Sequence, residues 1–520
     1  MDEAPGSWTV DFYDFRQVLV DRAVDGVFDG CGDVHAWARR NGARQGTPFL
    51  LAPDGTADAR VNLFFRIGPM AAARPRTWRR YAFSLAVWLD FLAAQGRRWD
   101  EAAAEDFEAF KFWRMADQRN TGRVRPASFD TDRAGLNTFY GWAASRYGAV
   151  NPVPTRSLDP APVGWDGYGP RRDPVRPAGS ARRQVKWLLR TAFEQWRDVG
   201  LRGYGFDGRR ERGWRGFNED RDAAFVDGLY GTGLRVAEWA SVLDVEVPVG
   251  DSSGRFPKAW LATACIKGGR AGREYRIPRG VLNAVAAYCD LLEGSRAEAV
   301  GRARRAGRYE RVSGLTIVTG YTRSTRSLAV LTESGRASVP LDVLGPEERL
   351  GLFRRTEAGL EPLALWLGHD GMPKQAHGWE KTFARANQRI SRLWGAAHGT
   401  DGRECPLWAR PHMCRHSYAL RWFVILSSVW SRQVEGFTQA EVRDLREQFG
   451  DVWFQLATLL GHSSPEVTKD WYLEPFTGLQ LDYLMALLDE DEQAAVDALL
   501  ERAVADEPRV LRRVDAGARR

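Results

Sequence analysis

The chain has 520 residues, 44% of them hydrophobic, which is too long for one core and too apolar for disorder, so two to four globular domains are expected. Its formal net charge is +7, and with seven lysines, 67 of its 74 basic residues are arginine; guanidinium forks suit phosphate oxygens and favour a nucleic-acid partner, although a GC-rich genome would also raise the count. Its five cysteines (Cys31, Cys265, Cys289, Cys405, Cys414) lack paired or metal-type spacing, Met1-Asp2-Glu3 is no secretory start, no apolar run reaches membrane length, and the GxxxxGKS/T and HExxH signatures are missing, so a cytoplasmic protein with no membrane role is expected.

Residues 1–69 are mixed: Pro53-Asp54-Gly55 marks a turn before the apolar run Val61–Phe65, and no role is assigned to this region. After Pro75, the spacing of Tyr81, Leu85, Trp88, Leu89 and Leu92 predicts a helix that Gly96 stops. A short helix holds Phe107 and Phe110. A third carries Leu136, Phe139, Tyr140, Ala143 and Tyr147 on one face and ends near Gly148 and Asn151-Pro152. Arg119, Arg123 and Arg125 lie in a polar loop between them. Residues 70–152 therefore read as a compact helical module, either DNA-binding or an ordinary bundle with solvated arginines. Six prolines in 153–182 (Pro154, Pro160, Pro162, Pro170, Pro174, Pro177) make a stiff, extended linker. Helical signal over Arg183–Trp196 and Asp222–Leu229 opens a second unit, 183–485. A helical tail, 486–520, carries Val496, Leu499 and Leu500 in an amphipathic pattern that begins at Leu484, Leu487 and Leu488.

Four pieces of the second unit carry chemistry. Tyr230-Gly231-Thr232-Gly233-Leu234-Arg235 is a glycine turn feeding a helix whose first turn carries Arg235, beside free N–H groups, with Glu238 one turn on to brace it; a structural turn with a surface arginine fits too. Ala259–Ile266 and Arg273–Ile277 alternate as strands around Lys267-Gly268-Gly269-Arg270-Ala271-Gly272, a hairpin that puts Lys267 at its turn. An ammonium can give up a proton where a guanidinium cannot, so Lys267 could be a general acid or simply an exposed loop lysine. Arg410-Pro411-His412-Met413-Cys414-Arg415-His416 opens another helix, with His412 and Arg415 on one face and Cys414 buried. Last comes Leu459-Leu460-Gly461-His462-Ser463-Ser464-Pro465 and then Tyr472. Gly461 can take the positive φ that ends a helix, Ser464 can cap the next and Pro465 can begin it. Tyr472 falls about two turns into that helix, and a phenol needs cationic neighbours to act as a nucleophile. Tyr483 competes but lies farther along, on the tail. Leu367-Gly368-His369 repeats the motif without a following tyrosine, and His369 is read as structural.

Taken in order, YGTGLRVAE, IKGGRAGREYRIP, PHMCRHSYA and LGHSSPEVTKDWYL resemble the tyrosine recombinase (phage integrase) family, and the helical module resembles that family's core-binding domain. The resemblance covers most of residues 70–480. It implies a mainly α fold with a small β-sheet or hairpin: a helical core-binding DNA-binding domain (70–152) and a mixed α/β catalytic domain (183–485). The 145 residues from Lys267 to His412 are long for the family, so an arginine-rich insertion (Arg302, Arg304, Arg305, Arg308, Arg311) is expected at about 294–360. The resemblance makes Tyr472 the nucleophile of a 3′-phosphotyrosine intermediate. Arg235 and Arg415 grip the phosphate, His462 donates to it, His412 accepts the phenolic proton and Lys267 protonates the leaving oxygen; His416 stands behind them. No cofactor or catalytic metal is implied. The implied partner is double-stranded DNA with specific recombination sites, bound by a homo-tetramer on synapsed DNA, with accessory directionality factors and a mobile-element role. A type IB topoisomerase-like relaxing enzyme and a non-catalytic DNA-binding protein on the same fold are the alternatives.

Overall fold

In the computed structural model, the residues described are 6–15, 34–71, 73, 75–154, 186–216, 218–248, 256–267, 271–312, 314–332, 335–434, 437–462, 464–468, 501 and 510–514. They fall into two compact units, one within Met1–Arg183 and one within Gln184–Arg520. Helix dominates, and the named strands form one five-stranded sheet and three two-stranded pairs among the described residues. The fold is mainly α, as expected. No helix among the described residues is long and apolar enough to cross a membrane. The linker from residue 155 onward and most of the tail lie outside the described residues.

In the first unit, β1 (Thr9–Phe12) pairs antiparallel with β2 (Pro48–Leu51), with α1 (Val34–Arg40) between them in sequence. Then come α2 (Ala59–Arg66), α3 (Pro75–Ala94), α4 (Ala104–Met115) and α5 (Pro126–Tyr147). Proline opens α3 and α5, where a missing N–H costs nothing. The apolar stripe of α3 meets Phe107 and Phe110 of α4 and Phe129, Leu136, Phe139 and Tyr140 of α5 in one core. Leu50, Val61, Phe64 and Phe65 belong to that same core, so the described residues before position 70 are packed into the helical unit. The Trp88 indole donates to the Tyr140 hydroxyl (2.9 Å), which donates to the Trp99 carbonyl (2.8 Å). The expected α5 face ended on Tyr147, but that ring is 37% exposed. Trp142 is buried instead, because its larger ring reaches Phe64 across the core.

Asp132 is the polar pin of this unit. Its buried carboxylate accepts from Arg80 (2.9 Å), Ser84 (2.7 Å) and Arg114 (3.3 Å), joining all three long helices. Asp132→Ala should lower the unfolding free energy by about 2–3 kcal/mol, read from the urea midpoint, because charge-assisted bonds are lost and a buried hydroxyl is stranded. Asp132→Asn should lose about half as much, since one oxygen still accepts from Ser84.

The second unit runs β3 (Trp187–Leu188), α6 (Arg190–Leu201), α7 (Glu219–Thr232), α8 (Val236–Ala240), β4 (Lys258–Leu261), β5 (Arg273–Arg276), α9 (Arg279–Cys289) and α10 (Ser295–Arg305). Next are β6 (Thr316–Thr322), β7 (Ser327–Thr332), β8 (Gly335–Pro340), α11 (Pro346–Arg349), β9 (Leu352–Thr356) and β10 (Gly359–Pro362). It closes with α12 (Ala376–His398), α13 (Pro411–Val434), α14 (Gln439–Phe449), α15 (Val452–Leu460), α16 (Pro465–Thr468) and β11 (Val510–Leu511). The core gathers Trp187, Trp196, Trp239, Trp366 and Trp379, all fully buried, and Phe225 stacks flat on Trp379. Rings of this size carry most of the apolar area such a unit can bury. β11 returns to pair in parallel with β3, Val510 opposite Trp187. Just beyond it, the Gln195 side-chain amide exchanges two hydrogen bonds with the Val514 backbone (2.7 and 2.9 Å).

The hairpin differs from expectation in its first strand. β4 stops at Leu261, opposite Arg273, and Thr263–Cys265 curl into a 3-10 turn before Lys267. The cause lies at Thr263: its amide donates to Asp342 and its hydroxyl accepts from the Gly272 amide, so neither is available to continue a ladder. The stretch expected as an insertion contains α10 and a sheet of order β10-β9-β6-β7-β8, in which only β6 and β9 are parallel. Some of its arginines are internal wiring. Buried Arg296 holds Glu361 at 2.7 Å, Arg354 bonds both Glu361 and Asp244, and Arg304 approaches Glu361. Arg302 and Arg308 pair on the surface with Glu298 and Asp370.

Candidate functional site

The site begins where α7 ends. Gly233 takes φ +64, and a Cβ there would run into the Tyr418 ring. The turn puts Arg235 at the N-cap of α8, one residue before the helix rather than within its first turn. Arg235 is tied twice to Glu238: its backbone N–H donates to Oε2 (2.9 Å) and its guanidinium to Oε1 (2.7 Å). The backbone donor expected to face an anion is therefore satisfied internally, and 28% of the Arg235 side chain remains exposed.

Helix α13 supplies the next cation. Proline opens it, His412 lies exposed in its first turn, and Arg415 one turn on is only 1% exposed. Arg415 donates Nη1 to the Gly233 carbonyl (2.5 Å) and Nη2 to the Leu460 carbonyl (2.6 Å) and to His462 Nε2 (3.1 Å). A guanidinium only donates, so His462 Nε2 is an acceptor here and its proton sits on Nδ1, bonded to Thr468 Oγ1 at 2.8 Å. His416 is buried, its ring centroid 4.4 Å from that of His412. Cys414 is fully buried, as expected.

His462 is delivered by a helix stop. α15 ends at Gly461, φ +67, and α16 begins at Pro465 as the sequence suggests. A Cβ on Gly461 would strike the Arg273 side chain. Arg273, the first residue of β5, was not singled out from sequence. It donates to the Leu459 carbonyl (3.1 Å) and lies 3.6 Å from Glu238 Oε2, with 14% of its side chain exposed. Strand parity could have revealed it, since Arg273 shares its inward face with buried Tyr275 while Glu274 and Arg276 point out.

Three guanidiniums thus surround one carboxylate. Burial would raise the Glu238 pKa, but Arg415, Arg235 and Arg273 together hold it below the usual range. Arg273 is shifted down, by burial first and then by Arg415 and Arg235, with Glu238 opposing. Burial pushes the Tyr418 phenol up to about 12, so this lining tyrosine is neutral. Among the described residues, three cations against one anion leave an excess of positive charge in a low-dielectric setting, an arrangement that stabilises an incoming anion.

The structure therefore brings Arg235, Arg415 and His462 together with Glu238. Lys267 stands exposed after the 3-10 turn, on the hairpin whose other strand sends Arg273 into the cluster. Tyr472 and its competitor Tyr483 lie outside the described residues. His369 is exposed, with its carbonyl accepting from Arg302.

The chain thus joins a helical unit to a mixed unit that gathers three arginines around one carboxylate. No family model and no curated protein matches the sequence. Among solved structures it is similar to the XerH site-specific recombinase bound to a palindromic difH substrate in a post-cleavage complex (TM-score 0.41, 10% identity, 84% of this chain and 87% of that one). It is also similar to the Tn1549 transposon integrase in complex with a circular intermediate DNA (TM-score 0.36, 13% identity, 72% and 82%). A third is the XerA recombinase (TM-score 0.24, 13% identity, 79% and 92%).

Proposed function

We propose that the chain is a tyrosine-type site-specific DNA recombinase that cuts and rejoins DNA through a 3′-phosphotyrosine intermediate in the service of a mobile element. The observation that carries the reading is the meeting of Arg235, Arg415 and His462, from three separated segments, around Glu238. The order of those segments and their local settings support it, because each is one of the four stretches that resemble the family.

In this reading the Tyr472 oxygen attacks a DNA phosphorus. The new P–O bond forms as the P–O5′ bond breaks, the phenolic proton passes to His412, and Lys267 gives a proton to the departing 5′ oxygen. A 5′-hydroxyl of a second duplex reverses the step, so bond energy is retained and nothing is oxidised or reduced. Arg235 and Arg415 hold the two non-bridging oxygens as charge grows on them. For His462 to donate as well, Arg415 must exchange its bond to Nε2 for the phosphate, and Nε2 must take up a proton. DNA duplex bearing recombination sites is the partner, a homo-tetramer the working assembly, and the cytoplasm its place.

Covalent capture tests this. The protein is incubated with a pool of randomised-sequence duplexes, and denaturant-resistant adducts are recovered and sequenced. The wild type should yield adducts on a defined sequence, and Tyr472→Phe should retain the same duplex yet yield none. Adducts formed undiminished by Tyr472→Phe would move the nucleophile elsewhere, and a wild type without adducts would end the reading. Exchange between two captured sites, against relaxed circles alone, separates recombination from topoisomerase action.

A further inference from the structure

We infer that Asp342, in the inserted stretch, is a positioning residue that sets the Lys267 hairpin for proton donation to the leaving oxygen; this rests on the recombinase reading above. A two-stranded hairpin with strands of four residues is marginal alone in water, and β4–β5 has only that. The support comes from Leu341–Val343, the 3-10 segment after β8, and from Leu344 that caps it. Asp342 Oδ1 accepts from the Trp260 indole of β4 (2.9 Å) and from the Thr263 amide (3.1 Å), and Thr263 Oγ1 accepts from Gly272 at the start of the returning strand (2.9 Å). One carboxylate oxygen thereby fixes the outgoing side of the excursion that carries Lys267, and the Thr263 hydroxyl ties the returning side to it. Cys265, two residues before Lys267, is buried and its thiol faces the Leu344 carbonyl (3.7 Å).

Two features show that the support is itself held. Buried Arg349 donates to the Leu341 and Leu344 carbonyls and pairs with Glu246, pinning the segment to the body of the unit. Arg326, in the β6–β7 turn, lies 4.1 Å over the Trp260 ring and 3.4 Å from Asp342 Oδ2. Arg326 is also the one non-glycine residue with positive φ (+50) among those described, a backbone cost accepted where the guanidinium caps the indole and the carboxylate together. The indole, the Thr263 amide and Arg326 keep the Asp342 carboxyl below its usual range against burial, which would raise it. The insertion therefore has a place in the chemistry: it replaces the sheet that the hairpin lacks.

The probe is the captured DNA sequence, made once with the normal 5′ oxygen and once with a bridging 5′ sulfur at the cleaved phosphate. A thiolate leaves without being protonated, so the P–S bond breaks with its electron pair going to sulfur and needs no general acid. Asp342→Ala should slow cleavage of the oxygen substrate by about 10²-fold, the scale of a misplaced catalytic group, and the sulfur substrate should remove most of that loss. Lys267→Ala should behave alike, and Asp342→Asn, which keeps the accepting oxygen, should lose less. If Asp342→Ala does not fold by thermal melt, Trp260→Phe, which removes the indole donor while leaving an aromatic ring beneath Arg326, carries the test with the same expected rescue. Unchanged cleavage by Asp342→Ala, or a loss that persists on the sulfur substrate, overturns the inference. A Lys267→Ala loss that sulfur does not rescue overturns instead the role given to Lys267.

Discussion

Replacing Glu238 with alanine is expected to cost the second unit about 3–5 kcal/mol, because it removes the only carboxylate, among the described residues, that pairs with these buried or half-buried guanidiniums. Against a typical total of about 5–15 kcal/mol, that is a large share of the stability and should appear as a markedly lower melting temperature. Arg273 suffers most. Its Nε and Nη2 are buried without a hydrogen-bond partner among the described residues, and Glu238 is the main group offsetting its repulsion by Arg415 and Arg235. Glu238→Gln should fall between, since its amide oxygen can still accept from Arg235. The effect has a pH signature. The folded-state pKa of Glu238 lies below the ordinary glutamate value of 4.5, so its contribution is complete above that value and is lost as pH falls through the lowered one. Melting curves of Glu238→Ala and wild type should therefore differ fully at neutral pH and converge in acid. A constant difference across that range would mean the carboxylate charge is not what holds the cluster.

Arg415→Lys should be nearly as damaging as Arg415→Ala, at about 3 kcal/mol or more, although charge is retained. The guanidinium spans the Gly233 carbonyl, the Leu460 carbonyl and His462 Nε2, three acceptors from two distant segments that a single ammonium cannot reach together. Both carbonyls would then be left buried and underbonded. The loss should appear as a lower melting temperature and as faster amide exchange over Leu456–His462, which the bond to Leu460 secures. Covalent capture should fall by at least 10²–10³-fold, the scale for one lost oxyanion donor. Full stability with Arg415→Lys would show that charge, and not the fork, is what the fold requires.

Much of this was legible from residues alone, for reasons that can be named. Helical periodicity located α3, α4 and α5 because a single buried stripe drives each of them. Glycine and proline chemistry located the Gly233 turn and the Gly461–Pro465 junction, since few other residues adopt those conformations. What stayed hidden was mostly polar and long-range. Arg273 reads as one more arginine among 67 until its carboxylate and carbonyl partners are placed around it. The end of β4 at Leu261 depends on Asp342, which lies about eighty residues away in sequence and cannot be inferred from local propensity. Likewise the proton position on His462 follows from a donor that only the folded chain supplies.

The parallel pairing of Val510-Leu511 with Trp187-Leu188 bears on how the protein is made. A ribosome must add more than three hundred residues after Trp187 before that strand meets its mate, and contacts so remote in sequence form slowly. Until then Trp187, Leu188 and the Gln195 amide wait with their partners unmade, so the nascent second unit spends most of its synthesis with part of its aromatic interior open to other chains and to chaperones.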